Sequence, residues 1–430
     1  MIRLYLIWRQ AIIQIGASAA VEITKATDFL KRQRRDWYVT VTRSSLERFV
    51  YQMVVPYLSI YTIALGATAT QLGLVNSLGM GFAGLLSLLS GWLIDRIGTK
   101  KIYLTGITML AISYIAYGLA QNWTIIIIAM MAYWLGFTTS VHSCATVCAN
   151  SLANQDRATG MSLCETFAAG FLGMAGPLIG ALMVTEFGGV NVSGIRPLFF
   201  IGLAVTVVTF LLIYTQLSDH KWTSQSVARD SLFKDLHQVF KEGRNLKRWL
   251  IIASVTSLPL GMVLPFCQVF AHEFKGADQY ILGYMVTGFA LTPLVFGIPF
   301  GRLADKIGRK KVIYLIAPFF WVSNLMLIWA PGPGFLIAAG ILQGFYFVNI
   351  TVTGAMTFEL VPAEQMGRWL GIIRFFRLLL SAGSAYAAGV IWDNLGPQYV
   401  FLAVIGLDLL IRIPLLMGMP ETLFSQIEKG

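Results

Sequence analysis

The sequence predicts an all-α integral membrane protein: twelve transmembrane helices in two pseudo-symmetric bundles of six. Three observations lead there. Of 430 residues, 56% are hydrophobic and only 12% charged, whereas a soluble protein carries roughly a quarter of its residues charged. Twelve apolar runs then follow one another, each close to the about 20 residues that cross ~30 Å of hydrocarbon. Finally, "GWLIDRIGTKK" at 91–101 returns as "GRLADKIGRKK" at 301–311, each at the end of an apolar run.

Residues 1–42 read as a basic cytoplasmic segment. Their apolar start is interrupted by Arg9, Gln10 and Gln14, and "KRQRR" follows at 31–35. That much positive charge resists translocation. Tyr5, Trp8, Ile12 and Ile15 predict a helix lying on the inner membrane surface, with a partly disordered basic tail as the alternative. The first bundle, 43–217, takes crossings at 44–65, 69–94, 102–120, 123–149, 159–186 and 197–217. A polar linker, 218–246, carries Leu232, Leu236, Val239 and Phe240 on one helical face, which predicts a short surface helix. The second bundle, 247–420, crosses at 249–270, 279–304, 312–330, 334–359, 369–392 and 398–419, and 421–430 form a cytoplasmic tail.

The two bundles are a repeat. Pro56 answers Pro265, Gly73 answers Gly283, Arg157 answers Arg368 and Gly160 answers Gly371, all at offsets of 209 to 211 residues. Six helices repeated about an axis along the membrane normal is a transporter design, with the pathway between the halves.

The net charge of +11 would suit nucleic acid, but its distribution excludes that reading. With the amino terminus inside, only Arg196 and Lys275 of the 32 Lys and Arg fall in outer loops. This is the positive-inside bias of a protein in the lipid bilayer of the cell membrane, with both termini cytoplasmic. Cys144, Cys148, Cys164 and Cys267 all lie in apolar runs. Cys144 and Cys148 are one helical turn apart, yet a soft-metal site needs more partners than the sequence places beside them. No metal, cofactor or catalytic residue is expected, and no phosphate loop points to ATP.

Gly91, Asp95, Arg96, Gly98 and Lys100 resemble the signature loop between helices two and three of the major facilitator superfamily. Gly301, Asp305, Lys306, Gly308, Arg309 and Lys310 match the same signature between helices eight and nine. The resemblance covers residues 44 to 420 and implies alternating access by rocking of the halves. It implies that these corners latch and release, with Asp305, Arg309, Glu359 and Arg368 as the second cluster and Arg157 as the first-half counterpart of Arg368. Thr99 stands where the family usually has Arg, and the fourth crossing lacks a counterpart of Glu359, so the first latch is expected to be weaker. A static charged turn that only enforces topology is the alternative.

Ionisable groups inside a crossing cost at least about 2.5–3.5 kcal/mol each on insertion scales, so they face protein or water and often work. Glu165 and Arg374 are candidates for proton coupling or recognition of substrate charge, with His142 a weaker third, and a plain salt bridge is the competing reading. Arg377 and Asp408 lie at similar depth and are expected to form a structural buried pair. Tyr57, Tyr61, Asn76, Tyr133, Trp134, Gln268, Asn324, Gln343, Tyr346 and Asn349 are candidates for the central pocket, while Trp123 and Trp329 are placed as interface anchors. Crossing five contains "GFLGMAGPLIGA", similar to the Gly-Pro signature of proton-driven exporters in the superfamily. That implies efflux of a small-molecule substrate in exchange for protons. Ala132 departs from the Arg those exporters carry in crossing four. "PETL" at 420–423 resembles the end of sugar porters and is discounted, because their other loop motifs are missing. An uptake symporter or facilitator, or a non-transporting sensor or assembly factor, are the alternatives. A monomer is expected.

Overall fold

A computed structural model describes residues 29–153, 160, 164, 171–218, 244–361 and 366–422, without side chains for a few of them, including 88–95 and 366–368. The expectations for the leading segment 1–28, the linker helix, Arg157, Glu165, and the side chains of Asp95 and Arg368 lie outside the described residues, as do the contacts of Gly91.

No strand occurs among the described residues. Twelve rods follow in order: α1 (Arg35–Ala64), α2 (Ala69–Ile97), α3 (Thr99–Leu119), α4 (Trp123–Ser151), α5 (Phe171–Glu186) and α6 (Val192–Gln216); then α7 (Leu246–Lys275), α8 (Gln279–Ile307), α9 (Arg309–Trp329), α10 (Pro333–Leu360), α11 (Met366–Asn394) and α12 (Pro397–Met417). Among the described residues, nine of these are long and apolar enough to cross a membrane. Large apolar side chains point outward all round, among them Leu119, Ile128, Ile298, Leu395 and Leu410. In water they would be a liability; in lipid they are the solvent-facing surface. Trp329 is 69% exposed at its helix end, as an interface anchor should be.

Local chemistry sets the helix ends. Asn122, Asn191 and Asp278 each receive a backbone N–H three residues on, which caps α4, α6 and α8. Gly98 (φ 97°) and Gly308 (φ 106°) take the left-handed turn between α2 and α3 and between α8 and α9, a conformation only glycine adopts cheaply. Helix α1 starts at Arg35 and so runs through the expected boundary at 42/43. Helix α7 is broken between Val255 and Leu264, where Pro259 and Pro265 remove amide donors. Helix α11 makes good the loss: Ser381 Oγ donates to Ser257 O at 2.9 Å and Ser384 Oγ to Leu258 O at 3.3 Å.

The halves meet along α2 and α11, which run antiparallel: Gly389 lies against Ala69 and Thr70, Gly73 against Ala385, and Gly84 against Leu378. The start of α11 therefore lies at the same end as the α2–α3 turn. Helix α10 ends there too, and its Glu359 binds Arg309 at the α8–α9 turn. Both glycine turns thus occupy one end of the molecule, called the turn end below.

The core divides along the same axis. At the far end, one buried apolar cluster runs through both halves, joining Tyr57, Leu72 and Val184 to Phe266, Leu282 and Trp392. At the turn end it separates. Trp249, Ile316, Met356 and Trp369 cluster within the second half, while Val39, Tyr103 and Ile213, and beside them Trp37 and Cys148, cluster within the first.

Candidate functional site

The turn end carries the repeated signature, and Lys100 and Lys310 do the same job in each copy. Lys100 Nζ donates to Leu217 O at 2.7 Å, past the end of α6. Lys310 Nζ donates to Met417 O and Met419 O, both at 2.9 Å, at the end of α12. Each lysine thus ties the start of the third helix of its half to the carbonyl-rich end of the sixth, where a cation is favoured.

The second copy is a dense polar cluster. Arg309 Nε donates to Glu359 Oε1 at 3.1 Å, and the same guanidinium pairs with Asp305. Thr422 Oγ1 donates to the other oxygen of Glu359. Glu421, which sequence reasoning passed over, caps α9: its carboxylate accepts from Arg309 N at 2.9 Å and Lys310 N at 3.2 Å. It belongs to the "PETL" stretch, so the signal is present in the sequence, under a resemblance to another family. Lys306 is exposed. Gly301 has open space where a side chain would stand among the described residues.

At the far end the halves are bonded to each other. Asp393 of α11 accepts from Thr70 N at 2.8 Å, which caps α2. Tyr57 Oη donates to Gln279 O at 3.1 Å, and Gln279 Nε2 to Thr185 Oγ1 at 2.9 Å. The repeat-related glycines make these crossings possible. A Cβ on Gly73 would stand 2.4 Å from Ala385 O, and one on Gly283 would stand 2.9 Å from Pro177 O. The glycines of crossing five turn elsewhere: Gly176 and Gly180 lie against the backbone of Phe49 and Met53 in α1. Their evident work is packing within the first half.

Between the two ends, Arg374 of α11 meets His142 of α4, with Nη1 and Nε2 at 2.5 Å, so the sequence-selected cation and imidazole bridge the halves. The expected Arg377–Asp408 pair does not form. Asp408 pairs with Arg412 one turn along the same helix and accepts from Trp321 Nε1 at 2.6 Å. The reason is local: Arg412 stands four residues after Asp408, a spacing that sets two side chains on one helix face, here within a π-helical turn over 408–412. Arg377 lies instead within electrostatic reach of Tyr346.

Among the pocket candidates, Tyr57 and Tyr61 donate to backbone carbonyls of other helices, while Asn76 and Asn324 donate to carbonyls four residues back on their own. Asn324 Oδ1 is buried without a partner among the described residues. Tyr133, Gln268, Gln343, Tyr346 and Asn349 each bury a polar atom that has no hydrogen-bond partner among the described residues. Such atoms are costly unless water or a ligand meets them. Tyr346 and Asn349 line a cavity of about 20 Å³ with Asp408 and Arg412, room for a single water.

Sequence reasoning also passed over a charged pair. Arg43, only 2% exposed, pairs with Glu47 on α1 and lies over the Tyr103 ring at 4.9 Å. The i, i+4 spacing is readable, but these residues stand where the basic segment meets the apolar run, which disguises them as flank.

Comparison with known proteins agrees with this geometry. The family description "Major Facilitator Superfamily" matches residues 44–269 and 249–422. Multidrug resistance protein MdtG of Salmonella arizonae is 25% identical over 308 residues, spanning 69% of this chain and 72% of that one. The MdtG of Yersinia enterocolitica is 25% identical over 347 residues, 77% of this chain and 78% of that. Among solved structures, the nucleoside transporter NupG superposes with a TM-score of 0.72 at 16% identity, over 89% of this chain and 99% of that. A D-xylose-proton symporter superposes with 0.72 at 14% identity, over 90% and 98%. With two six-helix halves, a signature turn in each, and a family match across nearly all the described chain, the protein belongs to the major facilitator superfamily.

Proposed function

We propose that this multi-pass membrane protein exports small organic molecules across the cell membrane by alternating access, in exchange for protons, with the turn end and both termini in the cytoplasm. The observation that carries the reading is the division of the core among the described residues: one apolar cluster welds the halves at the far end, while each cluster at the turn end stays within one half. A molecule rocking about its middle has this form when its cleft opens toward the turn end. The likeness to multidrug resistance proteins supports export of drug-like molecules, and the positive-inside bias supports the orientation.

Buried polar atoms of Tyr133, Gln268 and Gln343 have no hydrogen-bond partner among the described residues and are proposed to meet cargo when the halves part; Tyr51 and Phe137 stack on Tyr133. His142 and Arg374 stand where the halves meet, so protonation or cargo that disturbs their contact acts on the rocking equilibrium. Glu165 is the acidic group proposed to load and unload the proton. Opening and closing of the signature corners accompany the motion.

The test is transport in proteoliposomes with an imposed pH gradient, over a panel of amphipathic organic cations and neutral drugs. Accumulation against a concentration gradient that stops when an ionophore dissipates the pH difference, and that is lost in Glu165→Gln, is the expected result. Movement indifferent to the gradient makes the protein a facilitator, movement with the proton an uptake symporter, and absence of movement removes the transport reading.

A further inference from the structure

The first half contains a constellation to which the proposed transport cycle assigns no part. Cys144 and Cys148, one turn apart on α4, are joined by Cys164 from beyond the loop, and the three Sγ atoms lie within 4.8 Å of one another. Cys144 and Cys164 are 4.0 Å apart, and Ser44 Oγ of α1 lies 3.3 Å from Cys144 Sγ. The sequence showed two thiols without a third partner; folding supplies it.

We propose that Cys144, Cys148 and Cys164 form a three-thiolate site for a soft d¹⁰ cation such as Zn²⁺, Cd²⁺ or Cu⁺. Geometry carries the argument. A Zn–S bond of about 2.3 Å sets neighbouring sulfurs in a trigonal site about 4.0 Å apart, which is the spacing already present between Cys144 and Cys164. Small side-chain rotations bring Cys148 to the same distance. Three protein ligands leave a fourth position open, and Ser44 lies beside it. Trp37 and Phe29 pack over Cys148 and Cys164 and keep the site dry. Trp37 is itself held by its Nε1 donating to Gly160 O at 3.2 Å.

The charge balance is workable. Three thiols binding a divalent cation release three protons and leave one net negative charge on the site. Arg43 lies within electrostatic reach of Cys144, and its buried Nε has no hydrogen-bond partner among the described residues. It can offset that charge while its terminal nitrogen stays on Glu47. Softness selects the metal: thiolates favour Zn²⁺, Cd²⁺ and Cu⁺ over Mg²⁺ or Ca²⁺. Occupancy would tie α4 to the start of the fifth crossing.

The test is titration of the reduced full-length protein in nanodiscs with Cd²⁺, read by thiolate-to-cadmium charge-transfer absorption in the ultraviolet. A saturable signal at one cadmium per chain is expected, together with a rise in melting temperature. Cys144→Ser, Cys148→Ser and Cys164→Ser should each weaken binding by about 10- to 100-fold or more, at least the cost of losing an outer hydrogen-bond partner of a metal ligand. The triple variant should lose the signal. Cys267→Ser, in α7 of the other half, should leave it unchanged. Reduced wild type without a saturable signal overturns the site, as does a triple variant that keeps the signal, or its loss in Cys267→Ser. Because the wild-type titration decides alone, poor folding of one variant does not protect the idea.

Discussion

Glu421 shows how much one carboxylate can hold. It caps the first turn of α9 through two backbone N–H groups and sits where a side chain on Gly308 would have to go. Loss of such a cap costs about 0.5–2 kcal/mol, so Glu421→Ala should lower the melting temperature measurably. Gly308→Ala should cost more, because it forces a side chain into positive φ and against Glu421 at once. Gly98→Ala meets no atom within 4 Å among the described residues, so backbone strain is its main cost, and it should fall between wild type and Gly308→Ala in a thermal melt. The Asp408–Arg412 pair makes a different prediction. Arg412 is 4% exposed, so Arg412→Met leaves a half-buried carboxylate bonded, among the described residues, to Trp321 alone, at a cost of up to about 3–5 kcal/mol. The double change Arg412→Met with Asp408→Leu should be milder than the single one, and a melt in which the double is the worse would refute that ordering. Depth along two helices pointed to Arg377 as the partner, but the i, i+4 spacing on one helix gave Asp408 to Arg412.

Among the elements, α2 and α11 decide whether the far end can close. Their approach depends on Gly73 and Gly389, and that of α5 and α8 on Gly283. Gly73→Leu or Gly283→Leu should wedge the far end open. A cysteine introduced at Gln279 should then react faster with a membrane-impermeant maleimide, and equal rates in wild type and variants would mean the glycines do not set the gate. Most of this layer was legible. The twelve apolar runs foretold the rods, and the Pro56/Pro265 and Gly73/Gly283 pairs foretold the repeat, because crossing a bilayer imposes length and hydropathy on every helix. What the glycines touch was not legible. Gly73 and Gly283 face the opposite half, whereas Gly176 and Gly180 in the Gly-Pro stretch face α1 of their own. Small residues look alike in sequence whichever neighbour they admit.

For the whole molecule, the contact between Arg374 and His142 joins the two halves between their ends through polar side chains. If it carries coupling, Arg374→Ala and His142→Ala should each cut transport by about tenfold or more while the protein remains folded, and the double variant should be little worse than either. Independent effects that simply add would assign the two residues to separate tasks. The sequence chose both residues, since an ionisable group inside a crossing is conspicuous. It did not pair them, because they stand 232 positions apart on helices of different halves.

Membrane insertion, twelve crossings, the twofold repeat and the signature turns were written in the sequence, because each is a local demand: hydrocarbon thickness, positive charge kept inside, glycine at a positive φ. The weld at the far end, the partners of Asp408 and Glu421, the meeting of His142 with Arg374 and the gathering of three thiols were decided only in three dimensions. Those arrangements depend on which helix faces stand opposite each other across the bundle, and hydropathy, which is the same on every lipid-crossing helix, carries no record of that.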